Sequence, residues 1–275
     1  MKRTVEAGLV AAAVAVAASF AVPALADGSG WGRGSIKEPV GSYSAAGPCY
    51  FRADVGYSFS NDPELRWSAW NPPLPYNERV TRKSMDDTWF GGVGTGCGSG
   101  SRGFRYEFML DYHGQRSLSG TTAPFNDGLG NIQSAHISSS LTSYTGMVNG
   151  YFDLGNWGGL VPYVGLGVGL AYHQMDDYAL TGTSSTILWK VTGDNDLTLA
   201  WSAMAGFGYQ LSDRAILDFG YRYIDLGRAA SARNDNFSTT PSRLSVDDIT
   251  AHEFKIGLRY HFGGDACCMA PGPLK

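Results

Sequence analysis

The sequence predicts an all-β fold, an eight-stranded antiparallel up-and-down transmembrane β-barrel with short periplasmic turns and four long extracellular loops. Three observations carry the prediction. Eight segments alternate apolar and polar residues with period two, over lengths that meet the roughly 9 to 11 residues a tilted strand needs to cross a bilayer. The connections between them alternate strictly between short and long. The apolar rows end in aromatic residues, as at the two membrane–water interfaces of a barrel.

The strand segments are 49–60, 86–99, 104–114, 139–155, 161–175, 197–211, 214–227 and 250–262. The short connections are Gly100 to Gly103, Asn156 to Leu160 and Ser212-Asp213; the long, polar ones are 61–85, 115–138, 176–196 and 228–249. Short turns on the periplasmic side and longer loops outside are the asymmetry of bacterial outer-membrane barrels. An even strand count places both chain ends on the short-turn side.

Composition excludes other classes. Charged residues at 17%, aromatics at 13% and a net charge of -4 are too apolar for disorder and too balanced for a nucleic-acid partner. Residues 1–26 read as a signal peptide: Lys2 and Arg3, then an Ala/Val-rich run, then Ala24-Leu25-Ala26 as a small-x-small cleavage site. Residues 27–48 form a flexible, Gly/Ser/Pro-rich periplasmic lead-in, 49–262 the barrel, and 263–275 a periplasmic tail.

In each strand one face is apolar. Phe51, Ala53, Val55, Tyr57 and Phe59 oppose Arg52 and Asp54; Phe104, Tyr106, Phe108, Leu110 and Tyr112 oppose Arg105, Glu107, Asp111 and His113. Leu217, Phe219, Tyr221 and Tyr223 oppose Asp218 and Arg222; Phe254, Ile256, Leu258, Tyr260 and Phe262 oppose Glu253, Lys255, Arg259 and His261. In a water-soluble sandwich the apolar rows would be the core. The aromatic strand ends favour the inverse, apolar rows against lipid and ions in the lumen. Eight strands enclose a space just wide enough for side chains. The lumen is therefore expected to hold a salt-bridged network of Arg52, Asp54, Arg105, Glu107, Asp111, Asp218, Arg222, Glu253, Lys255 and Arg259. Alternating glycines at Gly92, Gly94, Gly96 and Gly98, and at Gly165, Gly167 and Gly169, leave room for it. The G-x-G-x-x-G spacing of Gly98, Gly100 and Gly103 opens no helix and carries no dinucleotide reading.

Cys49 and Cys97 fall near the periplasmic mouth on neighbouring strands, so a disulfide between them is expected, against the alternative of unpaired thiols. No metal-ligand spacing and no cofactor motif is seen. His136-Ile137-Ser138 resembles the His-x-Ser pair of lipid A deacylases, yet it sits where a long loop enters a strand and reads as an ordinary loop histidine. RWSAWNPPLPY (66–76) either contacts a partner or packs over the barrel mouth.

CYFRADVGYSF (49–59), PYVGLGVGLAY (162–172), LDFGYRYIDLG (217–227) and TAHEFKIGLRYHF (250–262) resemble the alphaproteobacterial outer-membrane β-barrel proteins, porin-like surface antigens of the OmpA/opacity-type eight-stranded group. The resemblance implies that Tyr260 and Phe262 carry the signal read by the barrel-assembly machinery, although this chain continues through GGDACCMAPGPLK. It implies a non-enzymatic structural and surface-interaction role in envelope integrity, adhesion or antigenicity. The partners it implies are outer-membrane lipid and lipopolysaccharide, and host or matrix ligands met through the long loops. The alternatives are a narrow diffusion pore and a lipid-modifying enzyme.

Overall fold

The computed structural model describes residues 49–71, 74–98, 102–126, 132–182, 187–231 and 242–262. The expected signal peptide 1–26, the lead-in 27–48 and the tail 263–275 lie outside the described residues. Eight long strands form the wall: β1 (Cys49–Ser60), β2 (Thr88–Gly98), β3 (Gly103–Thr121), β4 (Ala135–Asp153), β5 (Leu160–Met175), β6 (Asn195–Gln210), β7 (Ala215–Asp225) and β8 (Thr250–Phe262). Each pairs antiparallel with its sequence neighbours. β8 pairs with β1, so that the sheet closes and leaves no edge at membrane depth.

Outward residues at the level of the membrane are large and apolar, including Phe51, Val55, Phe108, Leu110, Leu166, Val168, Leu199, Ile256 and Leu258. Two aromatic girdles bound them. On the loop side, ring contacts run Trp89–Tyr112 at 5.5 Å and Tyr112–Tyr144 at 5.3 Å, then on the far wall Trp201–Tyr223 at 5.6 Å and Tyr223–His252 at 5.4 Å. On the turn side Phe51 stacks on Phe262 at 4.4 Å and Phe207 on Phe219 at 5.2 Å. From Phe104 to Tyr112 the strand climbs about 26 Å, or about 20 Å of depth at the usual tilt, and the girdle side chains extend the band at both ends.

Four segments expected as loops differ from that expectation. β3 and β4 continue well above the girdle, where Tyr178–Gly182 and Ile187–Val191 extend the wall on one side and Thr81–Met85 on the other. A second sheet joins Ala229–Ala230, Ser242–Asp247, Glu64–Asn71 and Leu74–Arg79. The two sheets share one apolar core that includes Leu65, Trp67 and Val246 from one, and Leu118, Ile137 and Leu141 from the other. Where Gly120 lacks a side chain, Val80 and Leu65 fill the space. These segments are rich in Ser, Thr and charge because their polar residues, among them Ser117, His136 and Arg66, alternate with the apolar ones and face water. The polarity of the wall thus inverts at the upper girdle: ions inside and hydrocarbon outside below it, hydrocarbon inside and polar groups outside above it.

A bulge marks the inversion. His113 pairs with Ser143 and Arg116 with Leu141, so that Gly114 and Gln115 together oppose Thr142. The extra residue shifts the inward phase of β3 from odd numbers (Asp111, His113) to even ones (Arg116, Leu118).

Candidate functional site

The interior below the apolar cap is filled by charge. Among the described residues six cations, Arg52, Arg105, Arg116, Arg222, Lys255 and Arg259, and six anions, Asp54, Glu107, Asp111, Asp153, Asp218 and Glu253, are buried, all drawn from strands of the wall. They sort into two tiers.

In the tier nearer the turns Arg52 is the hub: its Nε donates to Asp54 at 2.7 Å, Nη1 to Glu107 at 3.2 Å and Nη2 to Asp218 at 3.1 Å. Lys255 reaches Asp54 at 2.9 Å, Arg259 reaches Asp218 at 2.7 Å, and Arg105 donates to Asp153 at 3.0 Å. Three tyrosine hydroxyls donate into the tier, Tyr50 and Tyr151 to Glu107 at 3.0 Å each and Tyr163 to Asp218 at 2.6 Å. The Arg105 guanidinium also lies 3.9 Å from the Tyr151 ring centroid. In the upper tier Arg222 donates to Asp111 at 2.6 Å and to Glu253 at 2.5 Å. Glu253 also accepts from Ser58 at 3.0 Å and meets His113 Nε2 at 3.0 Å. Each carboxylate lacks solvent, so its ionised form depends on these donors.

Glycine makes the crowding possible. A β-carbon on Gly92 would collide with the Asp111 carboxylate, and one on Gly257 with that of Asp54. Both positions face the lumen opposite the acid they accommodate.

All ten lumen residues expected from sequence lie in this interior, along with His113 and His261. Asp153, Arg116 and the inward Tyr50, Tyr151 and Tyr163 were missed. Asp153 sits one residue beyond the outward Phe152 and continues the odd-numbered inward row of β4, a signal that was readable. Arg116 was hidden by the bulge, which places it out of phase with the residues before it. Tyr260 and Phe262 face outward at the turn-side girdle, 46% and 37% exposed. Cys49 and Cys97 face each other in the β1–β2 register and are disulfide-bonded, with Cα atoms 4.0 Å apart. His136 and Ser138 lie exposed on the outer wall of β4, in a strand and not in the expected loop, and among the described residues neither side chain makes a hydrogen bond. Trp67 of the 66–76 segment is buried in the cap, 1% exposed; Pro72 and Pro73 lie outside the described residues. No group of His, Cys, Asp and Glu among the described residues is arranged to hold a metal.

The closed wall with its lipid-facing band is that of an outer-membrane barrel, and the model of the outer membrane protein beta-barrel domain family matches residues 12–262. The chain belongs to this family. As a member of the outer-membrane β-barrel family it is a protein of the bacterial outer membrane. Similar proteins include an uncharacterized protein of Brucella suis biovar 1, 32% identical over 254 residues, spanning 82% of this chain and 89% of the relative. Outer membrane protein PagN of Salmonella typhimurium is 29% identical over 126 residues, 44% of this chain and 50% of PagN. A protein of Rickettsia bellii described as a candidate adhesin is 21% identical, covering 77% of this chain and 86% of the relative. Among solved structures, the outer membrane protein OprG of Pseudomonas aeruginosa matches with a TM-score of 0.46 at 16% identity, over 80% of this chain and 99% of OprG.

Proposed function

We propose that this barrel is a non-enzymatic, non-conducting surface protein whose function is to hold its extracellular two-sheet cap out from the membrane as a binding platform for ligands outside the cell. The observation that carries the reading is the double closure of the interior. Twelve buried charges fill the lumen up to the floor of the cap, and an apolar cluster including Trp67, Leu118, Leu141 and Leu244 fills it above. A diffusion path would have to break both, and the ionic tiers are expensive to disturb because removing one partner leaves a buried charge uncompensated. The cap, by contrast, presents exposed polar residues such as Arg66, Arg82 and Arg243 to the outside. The candidate adhesin among the relatives points the same way.

In this reading Tyr260 and Phe262 serve as the assembly signal, the aromatic girdles seat the barrel in lipid and lipopolysaccharide, and the two tiers supply rigidity. Deletion of the 64–79 hairpin, followed by a host-cell or matrix binding assay on whole bacteria, tests the platform. Loss of binding with normal surface display supports it, and unchanged binding refutes it. Planar-bilayer recording tests the closed interior, for which no steady conductance is expected; stepwise currents would restore the pore. Lipopolysaccharide deacylation abolished by His136→Ala would restore the enzyme.

A further inference from the structure

Among the described residues Arg116 is a buried cation with no carboxylate within ion-pair distance. It is 1% exposed, and its Nη2 donates to the neutral Ser58 hydroxyl at 2.8 Å, while Nε and Nη1 meet no acceptor among the described residues. The other buried guanidiniums, of Arg52, Arg105, Arg222 and Arg259, each have a carboxylate within 3.2 Å. The nearby carboxylates act on Arg116 only at longer range, Glu253, which accepts from the Ser58 hydroxyl at 3.0 Å, and the exposed Asp87 at the strand entrance. Glu253 already takes Arg222 and meets His113, so its oxygens are engaged elsewhere. Directly above, the inward neighbours of Arg116 are Leu118 on its own strand and Leu141 across the β4 pairing, where the apolar core begins. A guanidinium in such surroundings is strongly destabilised unless its charge is met. A water molecule would satisfy an N–H bond but leave the charge.

We propose that Arg116 is the binding site of a small monovalent inorganic anion of the halide class, held where the ionic lumen meets the floor of the apolar cap. Nη1 offers two N–H bonds and Nε one, all charge-assisted donors that suit an anion better than a neutral acceptor. The anion completes the upper tier and locks the bulge, since Arg116 is the first inward residue after it. It binds the folded barrel and not the unfolded chain, which has no such enclosure.

The refolded full-length protein in detergent micelles provides the test, with urea unfolding followed at constant ionic strength while gluconate is replaced by chloride or bromide. The unfolding constant of the wild type is expected to fall about tenfold for each tenfold rise in halide above its dissociation constant, as for one site. Arg116→Gln should abolish the response, and Arg214→Gln, which removes an exposed cation of the turn before β7, should preserve it. Crystals grown in bromide should show an anomalous peak beside Arg116 Nη1, a result that stands even if Arg116→Gln fails to fold. Wild-type unfolding indifferent to halide, a halide response that survives Arg116→Gln, or density for water alone at Arg116 in bromide would each overturn the proposal.

Discussion

Arg52 and Arg259 stand directly opposite one another on β1 and β8, two like charges held together because Asp218 lies between them, accepting from Arg52 at 3.1 Å and ion-paired with Arg259 at 2.7 Å. The strand pair that closes the barrel therefore depends on a residue from neither of its strands. Asp218→Asn should be among the most damaging lumen substitutions, costing about 3 to 5 kcal/mol by leaving two buried guanidiniums to face each other. Arg259→Leu should cost less, because Asp218 keeps Arg52 and the Tyr163 hydroxyl at 2.6 Å. Urea unfolding in lipid vesicles measures both, and an equal or reversed order would show that Asp218 is not the shared anion.

The inversion of polarity at the upper girdle predicts opposite tolerances for one substitution on one outer wall. Leu258 is 45% exposed and lies between the girdle residues His252 and Phe262 of β8. Leu258→Arg places a cation in hydrocarbon and should cost about 2 to 4 kcal/mol. Ser117→Arg, on the exposed outer face of β3 above Tyr112, should change stability by about 0.5 kcal/mol or less. Equal penalties would mean that the lipid boundary lies elsewhere.

The barrel was legible because its rule is local: every second residue decides a face, and the lumen residues of the membrane tiers follow from counting. Two physical effects limited the rest. The bulge at Gly114 and Gln115 shifts the phase by one, so that Arg116 and Leu118 exchange faces with their apparent neighbours, and nothing in composition announces it. The cap strands interleave Ser and His with Ala135, Ile137 and Leu141, so their average polarity is that of a loop although their alternation is that of a strand. The inward tyrosines Tyr50, Tyr151 and Tyr163 escaped for a different reason: a ring belongs equally well to a girdle, and only its hydroxyl partner reveals a lumen position.

The disulfide ties β1 to β2 at the turn-side mouth, across a sequence separation of 48 residues. Closing a loop of that length in the unfolded chain is worth at most about 4 kcal/mol. Cys97→Ser should lower the unfolding midpoint within that limit without altering the folded wall, because the flanking register from Tyr50 to Ser58 is held by backbone pairing. Non-reducing peptide mapping of the wild type should return a Cys49–Cys97 linked fragment; free thiols at both positions would contradict it.

Trp67 separates the two closures of the interior. It is the largest side chain of the cap core, 1% exposed, and it lies on the second sheet instead of the wall. Trp67→Ala should remove about 3 to 5 kcal/mol from the packing of that sheet. It belongs to the apolar cluster and not to the ionic tiers, and the barrel below the girdle should unfold at an unchanged urea midpoint. The expected signature is selective: faster proteolysis within 61–85 and 228–249 on intact cells, with the remaining barrel resistant and still electrically silent. Currents appearing in Trp67→Ala would show that the cap, and not the charged lumen, is what blocks passage.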